Sequence, residues 1–440
     1  MRFNKYFLTL LFLVCSILAQ AQTDTLLTLR QCLDIAIKNN LQVQQSSVTA
    51  EQARIGLVQA KDNLIPSITS NANRTLSSGR AVNPVTNTYI TQSVTSDNYN
   101  LNGSVTLFNG LALQSAIKQA SLAYQSGKMA FQAAKDIVTV NVITNYLQVL
   151  DAREILGQTN NQLAVARENV NIAEIKDKVG DNPTASTLTD FQGAYAGSQV
   201  GVVQAQNTLD GMKLSLFNLM NIPFNKDAEL QPLNAEDLQG DNGVNPDEVY
   251  NTALDQLAQM KAATLMRESA EKGVQYYKGL LYPQLAIGSG IGTNYSNLNS
   301  QTYFSQFRNN YGTYVQLGLN IPIFTNHIKK NDVALAKLRL QNYQYIENNV
   351  KITLKQNVDQ AYYNMIGAYK RYQALDTEVK AYAESYRVQK IRFNAGVITS
   401  DLLLFAKGNM DAANLNLISA RYDYYIYSKI LDYYQGKLPQ

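Results

Sequence analysis

From Tyr311 to Ile323 the odd positions read Tyr, Thr, Val, Leu, Leu, Ile, Ile. The even positions read Gly, Tyr, Gln, Gly, Asn, Pro. This period-two alternation predicts a strand with one apolar face. Beyond Phe324-Thr325-Asn326 the period lengthens. Val350, Leu354, Val358, Tyr362, Ile366 and Tyr369 recur at steps of four and three, one stripe of a helix. No Gly or Pro interrupts His327 to Met365. A helix reaching Phe393 would have roughly 65 residues and a length of about 100 Å, several times the size of a compact domain.

The same vocabulary runs through the rest of the chain. Thr28 can cap a helix carrying Leu29, Cys32, Leu33, Ala36 and Ile37, continuing to about Asn63 and stopped by Pro66. Residues 64–76 alternate weakly as a strand, and 77–97, rich in Ser, Thr and Asn, predict an exposed loop. From Tyr99, the positions Tyr99, Leu101, Gly103, Val105 and Leu107 oppose Asn100, Asn102, Ser104 and Thr106. Leu107-Phe108-Asn109-Gly110 opens a long helix to about Asp177, with Ile143, Leu147 and Leu150 on one face. Gly180-Asp181-Asn182-Pro183 breaks it, and a second helix returns over about 187–220. Residues 223–244 read as a polar connection. Asn245-Pro246-Asp247-Glu248 is a helix start, with Asn as cap, Pro at the first position and acids in the first turn. That helix predicts to about Leu280, followed by Pro283, an alternating stretch over 284–297, a polar loop over 298–310, and the strand and helix described first. Phe393-Asn394-Ala395-Gly396 ends that helix, and a last one returns from about Ser400 to Tyr434.

The two halves repeat each other. Leu-Ile-Pro-Ser around Pro66 matches Leu-Tyr-Pro-Gln around Pro283, 217 positions on. Phe108 and Phe324, Tyr146 and Tyr362, and Gly180 and Gly396 each stand 216 apart. Each unit is helix, strand, loop, strand, very long helix, tip, returning helix. The expected organisation is a first unit over 22–222, the connection 223–244 and a second unit over 245–440, one architecture built twice.

Composition narrows the chemistry. Charged residues are 16% of 440, below the usual quarter, and the net charge of +4 carries no clustered basic patch for nucleic acid. Arg2 and Lys5 precede the apolar run Tyr6–Leu18 and then Ala19-Gln20-Ala21, which reads as a signal peptide over 1–21. Cys15 lacks the small residue before it that a lipidated cysteine needs. Cys32 alone then remains, so no intrachain disulfide forms. The single His327 cannot build a histidine-based metal site or a conventional triad, and reads as a polar residue at a tunnel or barrel rim. Gly288-Ser289-Gly290-Ile291-Gly292 has the wrong spacing for a phosphate loop. No enzyme activity and no cofactor are expected. No stretch has about 18 consecutive apolar residues, the mark of a transmembrane helix. Four amphipathic strands can instead enter an outer membrane as part of a barrel, but four cannot enclose a lumen. Three chains would supply 12. Tyr89, Tyr99, Tyr295, Tyr303 and Tyr311, at strand or loop edges, suit an interfacial belt. A non-conducting structural or adhesive helical envelope protein is the alternative.

The repeat, the Pro-containing helix-to-strand junctions, Leu-Phe-Asn-Gly before the first long helix and Ile-Pro-Ile-Phe before the second resemble the TolC-type outer-membrane efflux proteins over nearly the whole mature chain. Arg80, Asn83-Pro84 and Thr86-Asn87 resemble the Bacteroidetes version. The resemblance implies a trimeric 12-stranded β-barrel continued by a long periplasmic α-helical coiled-coil tunnel. It also implies passive export with a periplasmic adaptor and an inner-membrane transporter of RND or ABC type. Gly180 and Gly396 match the family's adaptor-contacting tips. Asp190 resembles an acid of the closing gate, though about four extra residues separate it from Gly180. Asp401 falls one residue before the corresponding second-hairpin position, and Phe393 stands where a Tyr is common; for Asp190 and Asp401 a solvated acid at a helix start is the alternative to a gate role. The closing network is therefore expected to be absent or rebuilt.

Overall fold

The computed structural model describes residues 26–83, 86–180, 187–233 and 245–437. The signal peptide, Pro84, the tip residues 181–186 and most of the connection lie outside them. Helices α1 (Leu29–Asn39) and α2 (Leu41–Asp62) lead to strands β2 (Ser67–Val82) and β3 (Tyr89–Phe108). The long α3 (Ala112–Lys178) and the returning α4 (Thr187–Met220) follow. The second half repeats the order with α5 (Pro246–Gln256), α6 (Ala258–Gly279), β5 (Gln284–Ser296), the short α7 (Tyr303–Asn309), β6 (Gly312–Asn320), α8 (Ile328–Asn394) and α9 (Ser400–Tyr434). Matching helices agree in length: 11 residues for α1 and α5, 22 for α2 and α6, 67 for α3 and α8, 34 and 35 for α4 and α9. Two-residue strands β1 (Leu26–Leu27) and β4 (Glu229–Leu230) pair in parallel.

The repeat extends to the backbone. Gly110 and Leu111, entering α3, are left-handed at φ 66° and 63°. Their counterparts Asn326 and His327, entering α8, are left-handed at 49° and 62°. Gly180 and Gly396 have φ 74° and 73°. The rim histidine of the sequence reading is thus a turn residue, its ring edge-on to Phe324 at 5.5 Å.

Several boundaries differ from the periodicity. The expected single helix 28–63 breaks at Asn40, whose ψ of 124° leaves the helix. Its side chain accepts from the N–H groups of Gln42 and Val43, restarting the helix as α2. The helix from Pro246 breaks at Leu257 in the same way, with ψ 131°. Most of the expected loop 77–97 is strand, because Leu76, Ser78 and Arg80 pair with Thr95, Ser93 and Thr91 in a long hairpin. Polar alternation forms a strand as readily as apolar alternation when a partner strand saturates the backbone. The loop 298–310 contains α7, capped by Thr302.

The chain divides into two compact units. One comprises Met1–Ser47, Phe131–Met260 and Lys351–Gln440. Its first core gathers Cys32, Ala36, Val142, Tyr146, Leu147, Leu216 and Met220. Tyr146 is fully buried and its hydroxyl donates to the Gln231 carbonyl at 2.7 Å, tying the residue after β4 to α3. A second core joins Val249 and Ala253 of α5 to Leu354, Val358, Ala361 and Met365 of α8. The predicted stripes 143/147/150 and 354/358 are core residues. The other unit, Val48–Ala130 and Lys261–Val350, holds the antiparallel sheet in the order β2-β3-β5-β6. Small residues bring its helices close: a Cβ on Gly127 would lie 3.2 Å from the Ala50 Cα. Ser126 and Ser269 donate to the carbonyls of Ala262 and Gln119 across helices at 2.8 and 2.9 Å. At the entry to α3 the Gly110 backbone abuts Gly279, and a Cβ on Gly110 would run into the Gly279 carbonyl oxygen.

Two outcomes follow for stability. Gly110→Ala combines a left-handed Cβ with a backbone clash and should cost about 3 kcal/mol. Gly180→Ala, with nothing within 4 Å of a Cβ, should cost about 1 kcal/mol; equal losses in thermal unfolding would refute the packing argument. On α3, Asp151 has a buried Oδ1 with no hydrogen-bond partner. Burial, then the nearby Asp423 and Glu154 carboxylates, push its carboxyl up to about 6, against the partial relief of Arg421. A carboxyl raised in the folded chain stabilises the fold below its ordinary value near 3.8. That contribution is lost as pH rises through about 6. Asp151→Asn should therefore gain about 1 kcal/mol over the parent at pH 8 and little at pH 4, discounting for partial exposure; melting curves at the two values test this.

Candidate functional site

Two regions hold the residues of interest. The first is where the long helices turn back. Helix α8 ends with the Gly396 N–H donating to the Phe393 carbonyl at 2.9 Å and the Val397 N–H to the Arg392 carbonyl at 2.9 Å. Left-handed Gly396 permits this closure. At the end of α3 the Gly180 N–H donates to the Asp177 carbonyl at 3.1 Å.

Four helices meet behind these turns. Ala173, Phe191 and Leu403 are buried, with Val170, Leu188, Tyr386, Phe393 and Ile398 packed on them. Phe393 meets Phe191 edge-to-face at 5.8 Å, and the Lys176 ammonium lies 5.7 Å from the Phe393 ring. Buried Ser400, at the start of α9, donates to the Asp190 carboxylate of α4 at 2.7 Å. The structure thus brings Asp190 and Phe393 into one contact between the hairpins. It leaves Asp401 outside it. The Asp401 carboxylate is held below the ordinary range first by the Thr399 hydroxyl, then by the N–H groups of Asp401 and Leu402. That is a helix-start role. Ser400 and Phe191 were not singled out from the sequence; their positions 210 and 202 residues from their partners leave no local signal. Val179 and Val397, beside the glycines, are exposed apolar residues.

The second region is the sheet. Register places Ile68, Leu101, Val105, Ile287, Val315 and Leu317 on one face. The other face carries Asn71, Asn100 and Gly292 in one row, Thr69, Asn102, Gly290 and Tyr314 in the next, and Ser67, Ser104, Gly288 and Gln316 in a third. The glycines make room for neighbours. A Cβ on Gly290 would meet the Tyr314 ring at 2.6 Å, and the Tyr314 hydroxyl reaches the Asn102 amide oxygen at 3.2 Å. A Cβ on Gly292 would meet the Asn100 amide oxygen at 2.5 Å. The apolar face is open: Ile68, Val315 and Leu317 are 72%, 77% and 65% exposed. Strands β2 and β6 are edges with unpaired backbone groups along their outer sides. No helix among the described residues is long and apolar enough to cross a membrane.

Comparison with known proteins agrees with this geometry. The sequence model of the family described as outer membrane efflux protein matches twice, over residues 32–221 and 249–436. No curated protein sequence matches the chain. Among solved structures, the Campylobacter jejuni CmeC outer membrane channel superposes with a TM-score of 0.81 at 18% identity, covering 93% of this chain and 86% of that one. The Vibrio cholerae outer membrane protein VceC gives 0.79 at 14%, covering 93% and 96%. The open state of the Neisseria gonorrhoeae MtrE outer membrane channel gives 0.75 at 19%, covering 93% and 88%. These chains share the fold, and the double family match accounts for the internal repeat. With most of its length matched, the chain belongs to the outer membrane efflux protein family, and its place is the outer membrane.

Proposed function

We infer that three copies of this chain form the outer-membrane duct of a tripartite export assembly. The observation that carries this reading is the four-stranded sheet, with two unpaired edges and one exposed apolar face. In lipid, unpaired backbone groups cost several kcal/mol each, so the sheet needs further strands on both sides. Three sheets closing on one another make a 12-stranded barrel. Its apolar face meets outer-membrane lipid, and the Asn, Ser, Thr and Gly rows line a water-filled passage. The long helices continue from β3 and β6 as a periplasmic tunnel. The repeats 22–222 and 245–440, joined by 223–244, each supply half of one protomer's wall.

The hairpin tips are the docking points for a periplasmic adaptor, with Val179 and Val397 offering apolar contact beside Gly180 and Gly396. An inner-membrane transporter of RND or ABC type supplies the substrate and the energy. The contact of Phe393 with Phe191 and of Ser400 with Asp190 ties the two hairpins of a protomer together and holds the tunnel end narrow. Asp401 serves the start of α9.

Purified protein added to planar lipid bilayers should give stepwise ion conductance and migrate as a trimer until heated. Recovery as a soluble monomer without conductance would overturn the duct. Asp190→Ala should raise conductance and antibiotic leakage, while Asp401→Ala should leave both near the parent level. The reverse order would return the gate to Asp401.

A further inference from the structure

The loop between β5 and β6 carries a helix of its own, α7 (Tyr303–Asn309). It folds α7 back onto the sheet, and the contacts show on which face. The Tyr303 hydroxyl meets that of Tyr99 at 2.7 Å, and its ring lies 4.7 Å from that of Tyr295. Phe307 packs edge-on to Tyr99 at 5.7 Å, and its carbonyl accepts from the Thr293 hydroxyl at 2.7 Å. Tyr99, Thr293 and Tyr295 share the face that carries Leu101 and Ile291 one pair further along. Helix α7 therefore lies on the apolar face, at the end of its aliphatic band.

It is held there firmly. Gln306 is 1% exposed. Its amide donates to the carbonyls of Ser296, Asn299 and Gln301 at 3.0, 3.3 and 2.8 Å and accepts from the Ser296 N–H at 3.0 Å. With Tyr303, Gln306 and Phe307 turned to the sheet, the outward stripe of α7 is Phe304, at 81% exposure, and Arg308 one turn on. An aromatic and a cation side by side, at the margin of an apolar belt, have the composition of a membrane interface.

We propose that α7 is an interfacial anchor that inserts Phe304 into the lipid leaflet around the barrel. This rests on the lipid-facing reading of the same sheet face, with which the stripe is continuous. The occupant is lipid rather than a second copy, because the stripe lies on the outside of β3 and β5, the two inner strands, away from the edges β2 and β6 where copies would join.

The chain contains no Trp, so a single introduced Trp is a clean reporter. Phe304→Trp and, separately, Leu317→Trp on the aliphatic band are reconstituted in phosphatidylcholine vesicles. The acyl chains carry bromine either beside the headgroup or near their ends. Trp at 304 should emit to the blue of its position in water and be quenched most by headgroup-proximal bromine; Trp at 317 should be quenched more by the deeper bromine. Quenching at 317 without quenching at 304 overturns the anchor while sparing the barrel. A blue-shifted but unquenched emission at 304 assigns Phe304 to a protein contact and also overturns it. Absence of quenching at 317 defeats the lipid-facing reading itself, and the anchor with it.

Discussion

Everything in this chain answers to one constraint: a single-layer sheet of four strands cannot be stable by itself. Its edges β2 and β6 present unpaired N–H and C=O groups, and its face of Ile68, Leu101, Val105, Ile287, Val315 and Leu317 is apolar and open. A soluble protein would cover such a face with helices and blunt such edges. This one keeps both available. In the duct proposed above, lipid covers the face and strands of neighbouring copies pair the edges, and only a closed assembly does both at once.

The junctions explain how a sheet and a pair of 67-residue helices can belong to one element. A strand cannot become a helix without a change of direction, and here two consecutive left-handed residues make it in both repeats. In the first repeat, close backbone contact with Gly279 demands glycine at 110. In the second, asparagine and histidine occupy the same geometry, asparagine being the commonest non-glycine residue to tolerate it. The duplicated backbone is better preserved than the duplicated sequence because the turn geometry, rather than any one side chain, aims the helices.

The far ends are built on a different principle. Phe191, Phe393, Ala173 and Leu403 form a small apolar core joining two hairpins, with the hydrogen bond from Ser400 to Asp190 beside it. The large cores around Tyr146 and around Leu354 and Val358 are where rigidity resides.

By itself the sequence determined most of the element types, the long helices and their stripes, the twofold repeat, the caps at Thr28 and Asn245 and the tip glycines. All of these are set by local periodicity or by one residue's backbone preference. It misjudged residues 77–97 and the breaks at Asn40 and Leu257, because strand pairing and a mid-helix restart depend on partners outside any short window. Only the tertiary structure decided that Asp190 meets Ser400 across 210 residues while Asp401 turns to its own helix. It alone placed α7 on the apolar face, and gave Gly290 its reason in the Tyr314 ring lying over it. Such contacts join positions far apart in the chain, and neither period nor composition encodes which distant side chain will arrive.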